Sequence, residues 1–236
     1  MPNESTAGQR SPFAVLFDMD GVIVLSNPAH LAAWQAYGRE KLGVDITAEM
    51  FFSTISGRKN EDFLPELLPG RFSPEQIVQI AAEKEAFFRT RFGPQLQAVP
   101  GVIPLIHELM AHSHSGEVKI AMVTSAPVEN VAFVLERFNL ASAFSTRVTS
   151  AEVAQSKPDP AIYLLGAERV QIPPDRCIVL EDATAGVLSA KRAGMRCLAV
   201  ATSEPVQCLA AAGADAVCAD FREVSFERLR HMAGCK

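Results

Sequence analysis

The chain has 236 residues, of which 48% are hydrophobic and 21% charged, and a net charge of -5 at pH 7. That supplies a core for one large domain, or for a domain carrying a smaller insert. The acidic balance leaves no basic footprint for nucleic acid or an anionic membrane surface, and no 18-residue apolar run offers a bilayer span.

The opening segment, MPNESTAGQRSP, is polar and lacks the basic-then-apolar pattern of a secretory signal, so residues 1–12 are expected to be a short disordered leader. The first apolar run, FAVLF at 13–17, does not alternate and reads as a strand buried on both faces. It runs directly into DMDGVIV. Aspartates are poor strand formers, and Asp18 and Asp20 repel each other unless a cation lies between them. Gly21 marks a tight loop.

From about Asn27 to Val99 only helical periodicity is visible, punctuated by SGRKNED, LLPGRFSP and RFGP. Roughly seventy residues is too long for a crossover loop. The expectation is a helical cap domain over residues 27–97, hung on linkers near Leu25–Pro28 and Gln97–Pro100. Further buried strands are predicted at 119–124, 176–181, 196–200 and 215–219, with helices at 127–138, 158–170, 183–194 and 205–213. That alternation implies an α/β fold, a doubly wound parallel sheet formed by 13–26 and 98–236. The five cysteines, all in the last third and without a CxxC pair, read as reduced core thiols of a cytoplasmic protein.

In open α/β sheets, ligands sit at the carboxyl ends of the strands. Here the first strand ends in Asp18 and Asp20, the second in Thr124 and Ser125, and the strand at 176–181 in Glu181 and Asp182. VAQSKPDP puts Lys157 at the start of a helix. Each group has a structural reading of its own: a turn, a helix cap, a surface lysine. Their convergence on one sheet edge argues for chemistry. Clustered carboxylates call for a hard cation, and oxygen-only ligation suits Mg²⁺. Asp18 would then be a nucleophile, Asp20 a general acid and base, and Thr124, Ser125 and Lys157 the phosphoryl-binding groups.

DMDGVI, VTSA, SKPDP and LEDATAGVLSAKRAG resemble the four motifs of the haloacid dehalogenase-like hydrolase superfamily, and more narrowly its β-phosphoglucomutase-like branch. The resemblance covers nearly all of residues 13–220. It implies a Rossmann-like core with a helical cap after the first motif, Asp18 as nucleophile, and Asp20 as acid/base with its backbone carbonyl on Mg²⁺. It further implies Thr124 and Lys157 as phosphate-binding groups and Asp182, with Glu181, as the metal acids. Dehalogenases of this fold lack the second aspartate, so Asp20 favours phosphoryl transfer.

In the cap, His30 and Trp34 fall where the mutase-like branch has a histidine and a tryptophan, and as an i, i+4 pair they also read as packing. The cap-loop arginine that β-phosphoglucomutases use to grip a second phosphate aligns with Asn60, behind Arg58 and Lys59. Lys84 matches a family lysine, although its pattern reads as a solvated helix face. Leu25 replaces the usual acidic residue after the first motif. The expected activity is a phosphatase acting on a small phosphorylated metabolite such as a sugar phosphate, with no nucleic-acid or membrane partner and a monomeric state. A β-phosphoglucomutase-type mutase is the second reading. A receiver-like phospho-acceptor module is a distant third, since receivers carry no such cap.

Overall fold

The computed structural model describes residues 11–56 and 58–235, so the expected leader lies outside the described residues as far as residue 10. Six parallel strands form one sheet in the order β3-β2-β1-β4-β5-β6. They are β1 (Phe13–Phe17), β2 (Val118–Thr124), β3 (Thr146–Thr149), β4 (Cys177–Glu181), β5 (Arg196–Val200) and β6 (Ala216–Cys218). Every residue of β1 and β4 is buried because helices cover both faces of the sheet. Phe13, Val15 and Phe17 pack toward α5 (Val102–His114), α6 (Val128–Arg137) and α10 (Phe226–Met232). Ala14 and Leu16 pack toward α7 (Ala161–Val170) and α8 (Thr184–Arg192), with α9 (Val206–Ala211) completing that layer.

The chain proceeds from β1 to β2 and β3 on one side, then returns to β4 on the other. That reversal opens the crevice beside β1 where ligands bind in doubly wound sheets.

The α/β, doubly wound core is as expected, with local corrections. The strand β3, TRVT, was not anticipated: it is a short edge strand with only Val148 and Thr149 buried, so it leaves no apolar run. Nor were α5 and α10. Helix α7 begins at Ala161 rather than 158, because Pro158 and Pro160 break the start and the Asp159 carboxylate accepts the Ala161 N–H at 2.9 Å. Lys157 therefore sits in the loop before α7, not at a helix start. All five cysteines are free, but only Cys177 and Cys197 are buried core thiols; Cys208 is exposed.

Between β1 and α5 lies the inserted helical cap. It comprises α1 (Asn27–Tyr37), α2 (Ala48–Met50), α3 (Asn60–Leu67) and α4 (Pro74–Arg91), with π-helical turns at Gly38–Leu42 and Phe51–Ile55. Helix α4 starts at a reciprocal capping box between Ser73 and Gln76, with Pro74 in its first turn. Trp34, Tyr37, Phe51, Phe63 and Ile80 belong to a hydrophobic cluster separate from the two core clusters. The two connecting segments run side by side, Leu25 N–H donating to Gln97 O at 2.9 Å and Val99 N–H to Ile23 O at 3.0 Å. Among the described residues no helix is long and apolar enough to cross a membrane.

Candidate active site

The β1–β4 register pairs Phe17 with Leu180, so the next residues, Asp18 and Glu181, emerge together at the carboxyl edge. The Asp18 N–H donates to Leu180 O at 3.0 Å, which fixes the chain direction at that point. Lys157 Nζ lies between the two acids, 3.4 Å from Asp18 Oδ2 and 2.7 Å from Glu181 Oε1. Glu181 is saturated: Oε1 also accepts the Tyr163 hydroxyl at 2.7 Å, and Oε2 accepts the N–H groups of Asp182 at 2.9 Å and Ala183 at 3.3 Å. Asp18 differs, for its Oδ1 is buried and has no hydrogen-bond partner.

Close backbone approach makes this arrangement possible. A Cβ on Gly21, whose φ is +72°, would lie 1.7 Å from Asp182 Oδ2, and one on Gly186 would lie 1.7 Å from Glu181 Oε1.

Asp18, Glu181 and Asp182 can each offer an oxygen within 4.8 Å of the others. Three carboxylates against one lysine leave excess negative charge in a buried place, and the charges respond. Burial lifts the Asp18 carboxyl to about 7, with Glu181 and Asp20 adding to the rise and Lys157 opposing it. Burial likewise raises Asp182, reinforced by Glu181 and Asp18. Burial would also raise Glu181, but the Lys157 ammonium, the Tyr163 hydroxyl and the Asp182 N–H together outweigh it and hold that carboxyl below the usual range. An unpartnered Asp18 oxygen, excess negative charge and an all-oxygen donor set together fit a hard divalent cation.

Asp20 turns away from this cluster. Its Oδ1 accepts the Ser26 hydroxyl at 2.5 Å and lies 3.6 Å from His30 Nε2. Burial works against its charge, but His30 and Ser26 hold the carboxyl below its ordinary value. His30 Nδ1 is 2.9 Å from Lys84 Nζ. An ammonium can only donate, so in the neutral ring Nδ1 accepts from Lys84, and Nε2 faces Asp20. Lys84 also donates to Glu85 Oε1 at 2.8 Å, and Asn60 reaches the same oxygen at 2.8 Å. From the core, Asn130 donates to Glu85 Oε2 at 2.6 Å while its carbonyl accepts from Arg89 at 2.7 Å. The chain of polar contacts thus runs from Asp20 through the hinge into the cap, and back to α6.

Lys84 is therefore not on a solvated face. It is 1% exposed, beneath Trp34 and Phe88 at 5.0 and 5.5 Å from the ring centroids. The His30 ring stacks on Phe88 with centroids 3.8 Å apart.

Burial alone would raise the Glu85 carboxyl, yet Lys84, His30 and Asn60 bring it down to about 2 from 4.5. A depressed folded value means stability that is present above pH 4.5 and lost as pH falls toward 2; the span corresponds to about 3 kcal/mol. Glu85→Gln should lose roughly that much at pH 7 in urea unfolding, and the gap to wild type should narrow below pH 4.5. A gap that stays constant with pH would show that the Glu85 charge is not what holds the network.

Thr124 is buried, its hydroxyl accepting the Ala126 N–H at 3.1 Å, and the Ser125 carbonyl accepts from Ser150 at 2.9 Å. In the cap loop, Arg58 pairs with both oxygens of Glu66 at 2.7 Å. Lys59 donates to Ser150 O at 2.7 Å, and Asp62 accepts from Ser156 at 2.9 Å, so the loop rests on the core segment before Lys157. Every candidate site residue from the sequence (Asp18, Asp20, His30, Arg58, Lys59, Asn60, Lys84, Thr124, Ser125, Lys157, Glu181 and Asp182) lines one cavity of about 740 Å³.

Sequence reasoning missed the supports. Asn27 at the hinge donates to Ser203, and Ser203 donates to Asp182 Oδ2. Thr202 donates to Gly21 O at 2.6 Å. Both residues follow β5, so applying the strand-end rule to that strand would have found them. Asn130, Glu85 and Arg89 carried no such signal.

Comparison with known proteins agrees with this geometry. A family model described as haloacid dehalogenase-like hydrolase matches residues 14–194. The phosphorylated carbohydrates phosphatase of Thermotoga maritima is 31% identical over 182 residues, which are 77% of this chain and 82% of that protein. The β-phosphoglucomutase of Bacillus subtilis is 27% identical over 221 residues, 92% of this chain and 93% of the relative. Among solved structures, a haloacid dehalogenase-type hydrolase from Entamoeba histolytica superposes with a TM-score of 0.82 at 25% identity, covering 94% of this chain and 99% of that one. Since the family model spans well over half of the sequence and the relatives align across both core and cap, the chain belongs to the haloacid dehalogenase-like hydrolases and is a phosphoryl-transfer enzyme of that family.

Proposed function

We propose that the enzyme is a Mg²⁺-dependent phosphatase of small phosphorylated metabolites, sugar phosphates foremost, working through an aspartyl-phosphate. The observation that carries this reading is the buried, unpartnered Asp18 Oδ1 beside Lys157, with a second carboxyl, Asp20, wired separately to His30. Asp18 attacks phosphorus and the bond to the leaving oxygen breaks; Asp20, ionised beside His30 and Ser26 before substrate binds, takes up a proton with the phosphate monoester and passes it to that oxygen. A water then attacks the acyl-phosphate, Asp20 takes its proton, and phosphate departs with the Asp18 carboxylate restored. Thr124, Ser125 and Lys157 face the phosphoryl oxygens. Asp18, Asp182 and the Asp20 carbonyl are the groups to hold Mg²⁺, which when bound supplies the charge neutralisation that phosphoryl transfer needs. Glu181, already saturated, acts mainly by placing Lys157.

Phosphatase is favoured over mutase by the cap cations. A mutase must hold a second phosphate, yet Arg58 is engaged by Glu66, Lys59 by the Ser150 carbonyl, Lys84 by Glu85 and Arg89 by Asn130. Similarity to β-phosphoglucomutase keeps the mutase as the second reading. Product analysis with Mg²⁺ across phosphorylated sugars and polyols separates them. Phosphate release without isomerisation is expected; conversion of β-glucose 1-phosphate to glucose 6-phosphate with little release would reverse the choice.

Ser203 provides a test of the metal assignment. Its hydroxyl aims the Asp182 carboxylate, and outer-shell partners of this kind are worth about 10–100-fold in metal affinity. Ser203→Ala should weaken Mg²⁺ binding by that order in calorimetry while circular dichroism stays unchanged. Wild-type affinity in the variant would remove Asp182 from the metal site or Ser203 from its support.

A further inference from the structure

The cavity lining is of two kinds. Around the strand ends it is polar and charged. It also includes Phe51, Ile55 and Val78 from the cap, and Ala126, Pro127 and Val128 from the segment that follows Ser125. Val78 and Val128 are each 58% exposed, among the few large apolar side chains of the described residues left open to water. Both line the same cavity, one from α4 of the cap and one from α6 of the core. Isolated exposed apolar residues need no explanation, but apolar side chains that line a reactive cavity from both cap and core do.

The cavity carries both signs of charge, but its cap cations Arg58, Lys59, Lys84 and Arg89 each already donate to a protein acceptor. Glu61 and Glu129 line the same cavity with no counter-ion among the described residues. A second anionic group on the substrate would meet carboxylates and occupied cations, and like-charge juxtaposition is strongly unfavourable in a partly desolvated site.

From this juxtaposition we infer that the substrate is a monophosphate ester whose leaving group is uncharged and presents an apolar face, as a deoxy sugar or partly dehydroxylated ring alcohol does. The inference rests on the phosphatase reading and narrows it. The phosphate anchors against Thr124 and Lys157, and the apolar face of the leaving group lies between the cap wall and Val128. A hydroxyl pressed against either wall loses water and gains no partner, whereas a C–H in its place loses nothing. Discrimination therefore comes from what the walls cannot hydrogen-bond.

The test starts from the best monophosphate of the substrate panel. Its kcat/KM for phosphate release is compared with those of its single-deoxy analogues and of the corresponding bisphosphate. At least one deoxy analogue should exceed the parent by about fivefold or more, and the bisphosphate should fall at least about tenfold below it. Val128→Asn, a change at an exposed position, should bring the deoxy preference to within about twofold of unity. Val128→Lys should raise the bisphosphate relative to the monophosphate by about tenfold. Phosphate release with no deoxy preference, or with the bisphosphate equal to or better than the parent, overturns this inference and leaves the phosphatase reading standing. No phosphate release from any monophosphate overturns both.

Discussion

Asp18→Asn is expected to abolish turnover, by at least about 10³-fold in kcat, since an amide cannot form the acyl-phosphate of the proposed mechanism. The substitution keeps the volume and the Asp18 N–H to Leu180 O bond, so the fold should persist. Its effect on stability has the opposite sign. The native carboxyl resists ionisation up to about 7, whereas in the unfolded chain it ionises near 3.8, so the native state binds more protons across that window. Metal-free wild-type stability should therefore fall as pH rises from about 4 to 7, and the Asn variant should show a flatter profile and be the more stable at neutral pH. Inactive and stabilised is the predicted combination. Ordinary residual activity would remove Asp18 from its role, and a destabilised variant would show that its charge is satisfied in a way the buried, unpartnered Oδ1 does not suggest.

Lys157→Ala has the second large effect. The ammonium is buried between Asp18 and Glu181, and burial alone would make it less basic, but those two carboxylates raise it well above its ordinary value. Removing one partner of a buried ion pair strands the other, a loss of about 3–5 kcal/mol. Catalysis should fall by at least about 10²-fold, through loss of the cation that the proposed mechanism sets against the phosphoryl group. The double variant Lys157→Ala/Glu181→Gln distinguishes the two effects. Neutralising Glu181 should recover much of the stability, as a coupled pair does in a double-mutant cycle, and recover none of the activity. If the single variant melts like wild type, Lys157 is not the counter-charge of this cluster. A variant too unstable to purify alone would still be read through the double variant.

These expectations rest on residues that differ in how visible they are in the chain. Asp18, Asp20, Thr124, Glu181 and Asp182 can be read directly, because each follows a non-alternating apolar run and a parallel sheet delivers its strand ends to one edge. Lys157 is legible through its SKPDP context, although its loop position depends on two prolines and on the Asp159 carboxylate that accepts the Ala161 N–H. The helical cap is visible as a long interval without strands, and its charged loop as SGRKNED.

What the chain could not show is which polar groups meet. Lys84 has the spacing of a surface lysine and is buried only because α1 and α4 bring His30, Trp34 and Phe88 around it. Asn130 and Glu85 are 45 residues apart, and Asn27 and Ser203 are 176 apart; pattern arguments act over one helix or strand and see neither contact. Likewise Arg58 and Lys59 are cations by composition, but their partners, Glu66 and a core carbonyl, are set by how the cap loop folds and docks. Strand-end chemistry survives in sequence because it depends on local periodicity and one rule of sheet topology. Counter-charges, supports and the shape of the cavity depend on packing between distant segments, and only the folded chain decides them.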